Sequence, residues 1–152
     1  MMKSLKRLHS EGRLVRHKTS KKEIENLLQL VRRDIKDAKV KGLSTDRKFA
    51  TAYNAVLQLG MILLYCAAYR TKGAGSHFTV FQAMKGILGK DYAELADYFD
   101  ACRSKRNITD YDYAGAISKK ESKELINEAI EFQKFVLKYL KDNFPHLLPK
   151  SK

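Results

Sequence analysis

In 152 residues the chain contains no tryptophan, two prolines, two cysteines and eight glycines. So little proline and glycine argues against many short strands joined by turns and leaves room for long helices. The two cysteines, Cys66 and Cys102, are too few for a disulfide scaffold. Neither CxxC nor a Cys/His cluster with zinc-ligand spacing occurs, so no structural metal and no cofactor is expected. Both cysteines fall among apolar residues on predicted helices, where a thiol acts as a small buried hydrophobe. The longest unbroken apolar run, Leu59 to Tyr69, is far short of the roughly 20 residues that span a bilayer. No apolar h-region follows the basic first residues, as a secretory signal would require. A cytoplasmic protein with no membrane partner is the expectation. Walker A, HExxH, GxSxG and GxGxxG are also absent, which removes the commonest nucleotide, protease and hydrolase signatures.

What is present is basic charge on a globular composition. Hydrophobic residues make up 44% of the chain, enough for a core, and the length is that of one ordinary domain. The formal net charge is +13, of which residues 1–22 hold +7: eight lysines and arginines against Glu11. Such a field attracts polyanions, since phosphate contacts by Lys and Arg dominate non-specific nucleic-acid affinity. A solvated tail that aids solubility is the plainer alternative.

Hydrophobic periodicity divides the chain into 1–19, a basic segment with sparse apolar points expected to be mobile or weakly helical; 20–144, a helical bundle; and 145–152, a tail. Ser20-Lys-Lys-Glu23 reads as a capping box, followed by Ile24, Leu27, Leu28, Val31 and Ile35 at helical spacing until Lys41-Gly42. A second helix is predicted from about Asp46 to Arg70, with an apolar stripe wide enough for a central position. Shorter and longer helices follow at Ser76 to Leu88 and Asp91 to about Arg106. Residues 107–117 read as the longest internal loop. A second capping box, Ser118-Lys-Lys-Glu121, opens a last helix that Pro145 stops. No strand-like alternation of useful length is visible. The expected architecture is all-α: an antiparallel bundle of four long helices plus one short helix.

Chemistry-bearing residues concentrate at the end of the fourth long stretch: Arg103, Lys105, Arg106, Asn107, Asp110, Tyr111, Asp112 and Tyr113. Cations, a carboxamide, carboxylates and phenols in eleven residues can bind phosphate, stack on a base and hydrogen-bond a sugar. Each also has a structural reading. Arg103 can pair with Asp100 three residues earlier, Arg106 can serve a helix C-terminus, and Asn107 can be its left-handed cap. Asp110 and Asp112 can shape a loop, and Tyr111 can cover the core.

Arg106-Asn107 followed by Asp110-Tyr111-Asp112 resembles a motif of the HEPN family, helical domains associated with RNA cleavage and nucleotide handling. Ser76-His77, opening a short helix after a Gly-containing loop, is similar to that family's layout, and the likeness covers roughly residues 20–142. The resemblance implies a HEPN-like bundle that binds RNA or a nucleotide as a homodimer, in a toxin–antitoxin, defence or stress context, with a small nucleotidyltransferase as possible partner. Any activity it implies is metal-independent RNA cleavage, with Arg103 or Arg106 on phosphate and Asp110, Tyr111 or His77 moving a proton. Lys105 and Asn107 complete the implied phosphate site. The chain departs from the pattern in having no histidine four to six residues after Arg106. Tyr111 stands there instead, and a phenol of ordinary pKa near 10 is a poor base at neutral pH. Arg70 and His77 also form an Arg-x6-His, but across an interhelical loop; that spacing reads as chance unless the fold brings His77 to the arginines. The rival expectation is a non-enzymatic helical module that contacts a partner protein through the same loop and nucleic acid through its basic N-terminus.

Overall fold

One helix organises the others. In the computed structural model, which describes residues 4–73, 76–111 and 114–149 and the side chains of all these except 109–111, α3 (Thr45–Cys66) is buried around most of its circumference. Phe49, Ala52, Tyr53, Ala55, Val56, Leu59, Gly60, Ile62 and Leu63 leave only a narrow polar strip of Thr51, Asn54 and Gln58 over its central turns, so other elements must enclose it. Four do: α2 (Lys21–Ala38), α4 (His77–Leu88), α5 (Ala93–Tyr111) and α6 (Lys119–Asn143) all pack on α3. The chain is thus an all-α bundle, with four long helices, the short α4, and a six-residue α1 (Leu5–Ser10).

The unbroken apolar run in α3 is short, yet an 18-residue window with mean hydropathy 1.4 makes the helix long and apolar enough to cross a membrane by length and composition. Two-thirds of that window (67%) is buried inside the protein, as in a core helix. The flanking helices show the complementary pattern. On α2 the residues Ile24, Leu28, Val31 and Ile35, and on α6 Leu125, Ala129, Phe132, Val136 and Leu140, are buried at steps of three and four. Both are capped by the expected serine, but only one forms the expected box. Ser118 and Glu121 form the full reciprocal box, whereas Ser20 caps Glu23 N–H while the Glu23 carboxylate turns to His17 and Thr19 instead. Gly60 lets α4 lie against α3: a Cβ there would fall 2.8 Å from Val80 Cγ1.

Three segments differ from the sequence expectation. Residues 1–19 carry α1 and a strand, β1 (Leu14–Arg16), which pairs antiparallel with β2 (Tyr69–Thr71) in the register Leu14 with Thr71 and Arg16 with Tyr69. Leu8 and Leu14 are fully buried against Leu64, Tyr69 and Ala83. Two leucines suffice because they fill a hollow that other elements provide. The second helix ends at Cys66 because Ala68 adopts a positive φ of 70°, turning the chain into β2. Third, α5 continues to Tyr111, about five residues past its expected end, since no Gly or Pro interrupts it. Asn107 is therefore inside the helix and is not its cap, and Arg106 lies more than a turn from the C-terminus. Within the C-terminal tail, Pro145–Leu147 form a 3₁₀ turn that packs on α2 and buries Leu147.

Candidate functional site

Helix α5 holds Arg103 and Arg106 one turn apart, where it packs on α3 and α4. Tyr53 forms the floor. It is fully buried on α3, and a buried phenol needs a hydrogen-bond partner. It finds one in His77, the first residue of α4: Tyr53 Oη lies 3.1 Å from His77 Nδ1. Burial pushes the phenol well above its usual pKa, so it stays protonated. The Arg106 guanidinium lies over the same ring, its Cζ 5.4 Å from the centroid.

Beside His77, the Phe78 ring receives two more guanidiniums, Arg103 at 5.9 Å and Arg13 at 5.3 Å. Arg13 immediately precedes β1 and donates from Nη2 to the buried Thr79 hydroxyl at 3.0 Å. Strand pairing thus delivers an N-terminal arginine to the first turn of α4. Three like charges gathered in one place repel, and two features offset this. Aromatic faces attract guanidinium by about 0.5–1 kcal/mol each at exposed sites, and Asp100 accepts from Arg103 Nε at 2.7 Å, the i,i+3 pair foreseen from sequence.

The charges act on His77. Its imidazole is held below the usual histidine pKa, first by burial and then by Arg106 and Arg103, so it is neutral at pH 7. Engagement of Nδ1 by Tyr53 leaves Nε2 outside that bond, as donor or acceptor according to tautomer. The helix end adds to the cationic character. Ser76 does not cap α4, because its hydroxyl donates to the Gly73 carbonyl at 2.8 Å, and the positive end of the helix dipole faces the same cluster. A neutral imidazole, three guanidiniums and a helix N-terminus form an arrangement suited to an anion with a transferable proton nearby.

Not every sequence candidate joins it. Arg103, Arg106 and His77 do. Lys105 faces away, paired with Glu121 at the start of α6; this pairing, with the Ser118 backbone N–H, draws the Glu121 carboxyl down to about 2. Asn107 is half-buried in α5. Asp110 and Tyr111 belong to the last turn of α5, but their side chains lie outside the described residues, as do Asp112 and Tyr113 altogether. Sequence reasoning missed Arg13, Tyr53, Phe78 and Thr79. For Tyr53 a signal existed, since a phenol at the centre of an apolar stripe must place its hydroxyl somewhere polar; for Arg13 there was none. Both cysteines are outside the cluster, and burial raises each thiol to about 11. No family model, curated protein or solved structure matches this chain.

Proposed function

We propose that this chain is a HEPN-like cytoplasmic protein that binds RNA, or a nucleotide, through Arg13, Arg103, Arg106 and His77. The observation that carries the reading is the meeting of His77 with Arg103 and Arg106 across Tyr53 and Phe78. It supplies in space the histidine that the sequence lacks after Arg106. Guanidiniums match phosphate oxygens in a planar, two-pronged geometry. In the cleavage form of this reading, the neutral His77 takes the proton of a ribose 2′-hydroxyl as that oxygen bonds to the adjacent phosphorus and the P–O5′ bond breaks; the 5′-oxygen leaves with a proton from water, a 2′,3′-cyclic phosphate remains, and Arg103 and Arg106 stabilise the charge on phosphate. A homodimer in a toxin–antitoxin or stress context, with a small nucleotidyltransferase as partner, is part of the same proposal.

One feature favours a second reading, a non-enzymatic module. Arg103 is already paired with Asp100. A cluster so paired can serve to dock a partner without cleaving it. The two readings separate in one experiment, in which labelled single-stranded RNA is incubated with wild type, Arg106→Ala and His77→Ala. The enzyme reading requires cleavage that both variants abolish. Binding without cleavage, weakened by Arg106→Ala alone, identifies the module, and absence of both binding and cleavage refutes the proposal.

A further inference from the structure

A second cationic region is built differently and shares no residue with the first. Where the C-terminus of α2 meets the first turns of α3 and α6, a cleft of about 550 Å³ is lined by Lys39, Lys48, Lys119 and Lys123. No Asp or Glu lines it, and none of the four ammonium groups is in an ion pair among the described residues. Ser122 lines the same cleft. It is 3% exposed, and its hydroxyl has no hydrogen-bond partner among the described residues. Buried hydroxyls are nearly always paired, so an orphan at the wall of a cleft calls for a group to fill the gap.

The backbone agrees with the side chains. Thr45 and Lys48 belong to the first turn of α3, and Lys119 and Ser122 to the first turn of α6, so the positive ends of two long helix dipoles border the cleft. Only the end of α2 opposes them, and Lys39 lies there. Leu43, Ile126 and Ile130 supply an apolar wall, and Asn127 a carboxamide. The volume lies within the roughly 300–1,000 Å³ usual for small-molecule sites.

We infer that this cleft binds a small phosphate monoester carried on an apolar or planar body, of the size of a mononucleotide. The lysines and the Ser122 hydroxyl hold the phosphate, and the leucine and isoleucines cover the body. This site goes beyond the proposed function and does not depend on it.

Titration calorimetry of the full chain with AMP, ribose 5-phosphate, inorganic phosphate and adenosine tests the inference. AMP should bind more tightly than inorganic phosphate, and adenosine should not bind. Ribose 5-phosphate, whose body is neither apolar nor planar, should bind more weakly than AMP, and binding equal to AMP would overturn the part given to the apolar wall. The double variant Lys48→Ala/Lys123→Ala should weaken AMP by about tenfold or more, as loss of charge-assisted contacts predicts. Lys48→Arg/Lys123→Arg should retain binding and controls for folding, together with thermal melts. Ser122→Ala should weaken AMP several-fold without lowering stability, because the hydroxyl it removes has no partner among the described residues. The inference is overturned if AMP and phosphate give no binding at millimolar concentration. It is equally overturned if AMP binding survives the double lysine variant and disappears in Arg106→Ala, which would put the ligand at the arginine cluster.

Discussion

Around His77 the cations are guanidiniums, each lying over an aromatic ring, two from α5 and one from the residue before β1. In the cleft between α2, α3 and α6 they are ammonium groups on flexible stems, with neither ring nor carboxylate to hold them among the described residues. Arginine keeps its charge, stacks, and offers a planar fork, so a stacked arginine is a preorganised contact whose geometry exists before a ligand arrives. Lysine is a point charge that gathers round whatever anion enters. The first region should therefore be sensitive to shape, and the second mainly to charge.

The largest effect on that contrast should come from Tyr53→Ala. It removes the floor beneath Arg106 and His77 and opens a cavity in the core, at a cost of about 3–5 kcal/mol in chemical denaturation. Phe at the same position keeps the ring and loses only the bond to His77, about 1 kcal/mol. If the two variants denature alike, Tyr53 is not the floor described here. Next comes Gly60→Ala, which places a methyl against Val80 and displaces α4 from α3, costing about 1–3 kcal/mol. It should weaken RNA binding at the arginine cluster and leave AMP binding at the lysine cleft intact; equal losses at both would show that the regions are not independent.

Smaller effects concern protons. A histidine whose folded pKa is depressed takes up a proton more readily in the unfolded chain. His77 therefore costs stability as pH falls below its ordinary value near 6.5, and stability rises with pH through the window beneath that value. An NMR titration should place its midpoint below that of a free histidine, and Arg106→Ala should move it upward. A midpoint unmoved by the substitution would remove Arg106 from the histidine's surroundings. Glu121 runs the other way. Its carboxyl titrates at about 2 against an ordinary 4.5, so its contribution is complete above 4.5 and lost as pH falls toward 2. The Lys105–Glu121 pair is largely solvated, so Lys105→Ala should change stability at neutral pH by only a few tenths of a kcal/mol, and it should not affect RNA binding. A large loss of RNA affinity would return Lys105 to the site.

Much of the bundle was legible because helices announce themselves locally. Ser20, Ser44 and Ser118 cap where such residues should, and the apolar steps of α2 and α6 are those of one-sided burial. The end of α5 was misread because Asn107 and Asp110 look like loop residues; helix propensity is weak, and the absence of a true breaker decided the matter. The strand pair was invisible, since three residues give no period and their partner lies more than fifty residues away in sequence.

The sites divide along the same line. Sequence by itself determined the elements, their buried faces, the basic charge and the placement of Arg103 and Arg106 one turn apart, because capping, periodicity and charge are properties of neighbouring residues. Tertiary structure decided that Arg13 and His77 meet those arginines, that Lys105 leaves them for Glu121, and that four lysines surround the buried Ser122. These juxtapositions depend on how α3 seats the other helices around its buried surface, and the packing of distant side chains has no local signature.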